Sequence, residues 1–162
     1  MATRGKKDAC DLLDADHRAV KKLFKEYEEL MGSRSRTVAQ KKKDLAGKIC
    51  IELKAHAQIE EEIFYPALRA VFKDTDLLAE AEVEHASAKD LIAQIEDGME
   101  QPGEMFDAKV KVLGEYIDHH VKEERTEMFP KARSARKLDL VGMREQLEVR
   151  KEELLAELEA AA

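Results

Sequence analysis

The sequence predicts an all-α protein: an antiparallel up-down four-helix bundle made of two duplicated helical hairpins, with an additional amphipathic helix at the C-terminus. Three observations carry this expectation. Charged residues make up 39% of the 162-residue chain and aromatics 5%, with 7 Gly, 3 Pro and no Trp, a composition suited to long helices with solvated outer faces. Apolar residues recur at helical spacing through five stretches. Two of these stretches, HAQIEEEIFYP from His56 to Pro66 and HVKEERTEMFP from His120 to Pro130, repeat one pattern: a histidine, a glutamate four residues on, and an aromatic-proline pair nine and ten residues on. The length fits a single domain, 1–162.

The first helix is predicted from Asp8 to Met31, where Leu12, Leu13, Val20, Leu23, Phe24, Tyr27 and Leu30 keep helical spacing and Gly32-Ser33 supplies a stop. A polar stretch, 32–37, leads into a second pattern through Leu45, Ile49, Leu53, His56, Glu60, Ile63 and Leu68, with Pro66 expected to kink the helix or end it just before. Asp74-Thr75-Asp76 reads as a turn with an N-cap, opening a third helix over 77–97. The breaker DGMEQPGE separates it from a fourth helix over 105–131, in which Pro130 stands where Pro66 stood. These four form the expected bundle, 8–132. The fifth helix, 138–160, carries Leu140, Val141, Leu147, Leu154, Leu155 and Leu158 but no histidine. It is expected to pack across the bundle or fray, with a protein partner or self-association through its apolar face as the alternative.

The other two helices repeat as well. DADHRAVKKLF around His17 and EVEHASAKDLI around His85 both place carboxylates three and one before the histidine, a lysine four after it (Lys21, Lys89) and an apolar pair six and seven after it. His17 thus matches His85 at an offset of 68, and His56 matches His120 at an offset of 64. Four histidines fall one to each helix, and Glu60 and Glu124 add a carboxylate to the second and fourth.

Charge and leader signals narrow the function classes. A net charge of −7, with the basic runs Lys6-Lys7 and Lys41-Lys42-Lys43 short and flanked by acids, argues against a nucleic-acid partner. The opening MATRGKKDAC has no apolar run, and no stretch approaches the roughly 20 apolar residues that span a bilayer. A cytoplasmic protein without a membrane partner is expected. Cys10 and Cys50 read as buried, reduced thiols, although Cys10 lies seven residues before His17 and shares its helix face.

Residues i and i+4 share one face of a helix, so His56 with Glu60 and His120 with Glu124 each present an imidazole and a carboxylate one turn apart. Two such hairpins packed antiparallel collect four imidazoles and two carboxylates, the inventory that di-metal carboxylate bundles use. His119 also has a glutamate four residues on, Glu123, but the repeat aligns His56 with His120, and one residue is about 100° around the helix. His119 is therefore read as a non-ligand. Asp14 and Glu82, equivalent by the repeat, are candidates to accept from the outer N–H of a ligand imidazole. Tyr116, one turn before His120, reads as a core residue or as a donor to a bound species.

The spacing of His17, His56-x-x-x-Glu60, His85 and His120-x-x-x-Glu124, with the DHRAVKKLF opening and the EEEIFYP and EERTEMFP closings, resembles the hemerythrin-like (HHE cation-binding) domain family. That resemblance covers roughly residues 8–132. It implies an antiparallel four-helix bundle with two non-haem iron ions, oxo- or hydroxo-bridged, held by His17, His56, Glu60, His85, His120 and Glu124. The two glutamates would bridge the irons, and one iron would stay open to dioxygen, nitric oxide or peroxide. The oxygen-carrying members have a second histidine one turn from the first on the third helix, where this chain has Ala81 and Lys89, and an aspartate at a longer spacing on the fourth. One iron is then short of a protein ligand, with water, Glu82 and Tyr116 as candidates. The expected function is a di-iron protein that binds or senses a small diatomic or peroxide. The alternatives are a di-iron enzyme that turns over peroxide or nitric oxide, distinguished by turnover beyond one equivalent, and a metal sensor or interaction module holding iron, zinc or manganese.

Overall fold

The computed structural model describes residues 6–162. Its helices are α1 (Ala9–Leu30), α2 (Val38–Ile59), α3 (Tyr65–Val71), α4 (Asp76–Asp97), α5 (Glu104–Glu123), α6 (Phe129–Ser134) and α7 (Leu140–Ala161), and no strand occurs among the described residues. One π-turn, Glu60–Phe64, joins α2 to α3, and another, Glu124–Met128, joins α5 to α6. The expected second and fourth helices are thus single rods running past Pro66 and Pro130. Neither proline ends its helix. Each lacks the N–H of an i→i−4 bond and presses its ring toward the carbonyl four residues back. The wider turn ahead of each proline relieves that contact, and the helix resumes.

α1 packs on α2 and α4 on α5, while α1–α5 and α2–α4 contacts close the ring of four. A capping box sets the start of α1: Asp8 accepts from the Asp11 N–H at 3.0 Å and Asp11 accepts from the Asp8 N–H at 2.9 Å. Arg133 of α6 pairs with both carboxylates, at 3.1 and 3.0 Å. At α4 the expected cap comes from one residue further out. Asp74 accepts from the Asp76 N–H at 2.9 Å, and Thr75 makes no side-chain cap bond. At the far end of the bundle Asp107 accepts from Tyr27 Oη at 2.7 Å and Lys42 Nζ at 2.9 Å, tying α5 to α1 and α2.

The apolar core is divided in two. One cluster gathers Leu12, Leu13, Ile59, Phe64, Leu68 and Leu78 with the apolar residues of α7. The other gathers Val20, Tyr27, Ile49, Ile92, Phe106 and Leu113. Between them, at mid-bundle, lie buried polar side chains: Asp16, His17, His56, Glu60, His85, His120 and Glu124.

α7 lies along α1 and α2, burying Leu140, Met143, Leu147 and Leu154, while Arg150 reaches Glu62 at 2.8 Å. No helix among the described residues is long and apolar enough to cross a membrane. Because Leu147 is fully buried and Val149 is 59% exposed, Leu147→Ala is expected to destabilise the fold by about 2–5 kcal/mol, and Val149→Ala by no more than about 0.5 kcal/mol. Urea unfolding of the two variants measures both.

Candidate metal centre

Four helices bring all six candidate residues to one layer. Glu60 and Glu124 have no exposed surface, and His17, His56, His85 and His120 are each 5–7% exposed. The Nε2 atoms of His17 and His56 are 3.1 Å apart, and those of His85 and His120 are 3.2 Å apart. Each glutamate spans both pairs. Glu60 Oε1 lies 2.9 Å from His56 Nε2 and 3.5 Å from His85 Nε2, and Glu124 Oε1 lies 2.7 Å from His120 Nε2 and 3.5 Å from His17 Nε2. The repeat thus folds into two half-sites, one of His17 and His56 and one of His85 and His120, with both carboxylates between them.

The outer ring nitrogens fix what the inner ones offer. His56 Nδ1 meets Asp16 Oδ2 at 3.0 Å, His120 Nδ1 meets Glu84 Oε1 at 3.2 Å, and His85 Nδ1 meets Glu61 Oε2 at 3.3 Å. In a neutral imidazole the nitrogen facing a carboxylate carries the proton, so once the inner proton is displaced these three rings offer Nε2 lone pairs inward. The acids doing this differ from those expected. Asp14 stands 3.8 Å from His17 Nδ1 and pairs with Arg125 and Arg18, and Glu82 is exposed and pairs with Arg69 at 2.9 Å. Helix geometry explains the correction. Relative to its histidine, the preceding residue is turned about 100° one way and the residue three before about 60° the other way. Asp16 and Glu84 therefore face the partner helix of their own hairpin, whereas Asp14 and Glu82 face the opposite neighbour.

The phenol at the site is also a different one. Tyr65 Oη lies 3.2 Å from His85 Nε2 and 3.1 Å from His120 Nε2, whereas Tyr116 is 48% exposed. Tyr65 reaches the layer because of the π-turn: its N–H bonds the Glu60 carbonyl, so it takes the place above Glu60 that the residue before it would hold in an unbroken α-helix. At the equivalent position Phe129 stacks on His17, ring centroids 6.1 Å apart and planes 6° apart. These two rings cover the layer on one side. On the other is a cavity of about 30 Å³ walled by Val20, Leu53, Ala88, Ile92 and Ile117, space for small ions and a water-sized guest.

The charges leave a demand. Among the described residues, both oxygens of Glu60 and of Glu124 are buried with no hydrogen bond, although imidazole nitrogens crowd around them. Burial works against a charged His56, but Glu60 and Asp16 outweigh it and push that ring up to about 10. Burial is likewise outweighed at His120 by Glu124 and Glu84, which push it up to about 11. Protons thus supply the positive charge in the metal-free protein. Imidazole and carboxylate atoms gather in two buried groups, His17, His56 and Glu124 and then Glu60, His85 and His120, a donor set suited to metal cations, which would satisfy the orphaned oxygens.

His119 lies outside this layer, its side chain 67% exposed and 3.1 Å from Glu123. α5 is regular through both histidines, since the π-turn begins at Glu124.

In comparison with known proteins, the model of the Hemerythrin HHE cation binding domain matches residues 8–132. A DNA nickase of Nostoc sp. is 29% identical over 124 residues, which is 76% of this chain and 33% of that protein. The chain therefore spans about a third of the length of this curated relative. No solved structure matches.

Two outcomes follow from the geometry. His120→Ala is expected to lose bound metal while His119→Ala retains the wild-type amount, measured by elemental analysis of variants shown to be folded by circular dichroism. Metal must also displace the protons held by His56 and His120, whose raised values keep them charged at neutral pH. Raising the pH lowers that proton occupancy, so affinity should increase with pH and binding at pH 7 should release protons. Calorimetric titration with zinc in two buffers of different ionisation enthalpy reads the release.

Proposed function

Because the chain belongs to the hemerythrin HHE cation-binding domain family, we propose that its buried histidine-glutamate layer holds two non-haem iron ions and binds or senses a small molecule, dioxygen, nitric oxide or peroxide. The observation that carries this is the pair of fully buried glutamates without hydrogen-bond donors, each within 3.5 Å of imidazole nitrogens from both half-sites. Protons on His56 and His120 offset that charge in the metal-free protein, and cations placed between the half-sites would take over that role while reaching the oxygens the imidazoles leave without a bond. Iron supplies a redox-active centre with affinity for small ligands.

The chain's own residues give that centre its shape. Glu60 and Glu124 bridge the half-sites. Asp16, Glu84 and Glu61 hold three imidazoles in the tautomer that presents Nε2. Tyr65 supplies the oxygen that the sequence leaves missing at the His85–His120 half-site, so the His17–His56 half-site, faced by Phe129, is the less crowded one. The apolar cavity admits a diatomic or peroxide and is too small for an organic substrate.

One observation favours the enzyme reading. Burial and the charges of Glu124 and Glu60 hold the Tyr65 phenol well above its usual range, so without a cation it stays protonated as an O–H donor beside the site. Hydrogen peroxide consumption beyond one equivalent per chain separates turnover from binding. Nicking of DNA belongs to the longer relative, and a net charge of −7 argues against a phosphate-binding face on this chain.

Protein from iron-supplied cells is expected to contain two iron ions per chain and to absorb in the visible when oxidised, with part of that absorption lost in Tyr65→Phe. At most one ion per chain, with no charge-transfer absorption, would overturn the di-iron reading. Because metal binds the folded chain alone, chelation should lower the melting temperature, by about 2.7 kcal/mol of stability for metal supplied at 100 times its dissociation constant. Differential scanning calorimetry before and after chelation measures this.

A further inference from the structure

The acids around the layer are not compensated alike. Asp14 pairs with Arg125 and Arg18, and Glu61 pairs with Lys89 at 2.5 Å, all within the bundle. Asp16 is different. Its Oδ2 takes His56 Nδ1 at 3.0 Å, while its Oδ1 takes Lys151 Nζ at 2.5 Å. Lys151 belongs to α7, beyond the residues 8–132 of the family match. It is 24% exposed and also lies 4.0 Å from Glu52. At the other half-site the equivalent acid, Glu84, has no lysine or arginine within 4.0 Å among the described residues and faces His119 at 3.8 Å.

We propose that α7 tunes the metal centre: Lys151 acts through Asp16 as a positioning residue that sets how strongly His56 donates to a bound cation, at one half-site and not the other. This rests on the reading of the layer as a metal centre. A carboxylate on Nδ1–H makes the far nitrogen of an imidazole a stronger donor. A cation on the carboxylate's second oxygen draws that charge away and adds one positive charge near the site. With Lys151 in place, the His17–His56 half-site binds a cation less tightly than its ligands alone would allow. Anything that lifts α7 from α1 and α2 removes that restraint, so the helix is an input through which another event reaches a buried site.

The test is competition for zinc between the protein and a chromophoric chelator, which resolves successive binding steps, on full-length chains. Lys151→Gln is expected to tighten one of the two steps several-fold and leave the other unchanged. Lys151→Arg is expected to restore wild-type binding. Arg150→Gln, which removes the neighbouring Arg150–Glu62 pair that also fastens α7, should change neither step. In metal-free protein, the imidazole N–H resonance of His56 should move in Lys151→Gln while that of His120 stays. Unchanged or weakened zinc binding in Lys151→Gln, or the same change in Arg150→Gln, overturns the relay while leaving the metal centre intact. Failure of the wild-type chain to take up zinc overturns the metal centre and the relay together.

Discussion

Two carboxylates buried without donors are the constraint on which the rest of the structure depends. An uncompensated buried charge costs several kcal/mol, and a domain of this size has only about 5–15 kcal/mol of net stability to set against it. The bundle must therefore hold positive charge at its middle, as protons on His56 and His120 or as cations between the half-sites. The surroundings serve that requirement. Apolar clusters on both sides exclude water, which raises the cost of leaving the charge unmet. Outer acids lock the rings so that the compensating group must sit at Nε2.

The recurring interval from histidine to aromatic residue has a mechanical meaning. Nine residues are one α-turn of four followed by one π-turn of five, so His56, Glu60 and Tyr65 stack on one face, as do His120, Glu124 and Phe129. The proline that follows helps make the second turn wide. Remove the extra residue and the aromatic ring swings away from the layer, while the glutamate keeps its place relative to the histidine.

This explains what was legible in the chain and what was not. The four-helix bundle and the convergence of His17, His56, Glu60, His85, His120 and Glu124 follow from period, repeat offset and family resemblance, because those signals depend only on regular helix geometry. The roles of Asp16 and Glu84 were less legible. Both stand in the repeat one residue before a histidine, but each serves the histidine of another helix, and helix pairing is needed to see which side is served. Tyr65 was hidden by an assumption of regular turns. Its signal was present in one of the two differences between FYP and MFP, the hydroxyl that Tyr65 carries and Phe129 lacks. Lys151 had no local signal, since a lysine on an amphipathic helix is ordinarily a solvated residue, and only the docking of α7 gives it a neighbour.

That single hydroxyl bears on how a duplicated structure acquires direction. Two identical hairpins would build a centre whose halves are interchangeable, with no reason for any event to begin in one of them. Tyr65 facing one half and Phe129 the other ends the degeneracy. In the proposed metal centre, a ligand or a metal ion would then meet two chemically different sides. A repeat that copies a binding site can thus lose its symmetry through one hydroxyl inside the layer, as it does through Lys151 on Asp16 at its edge.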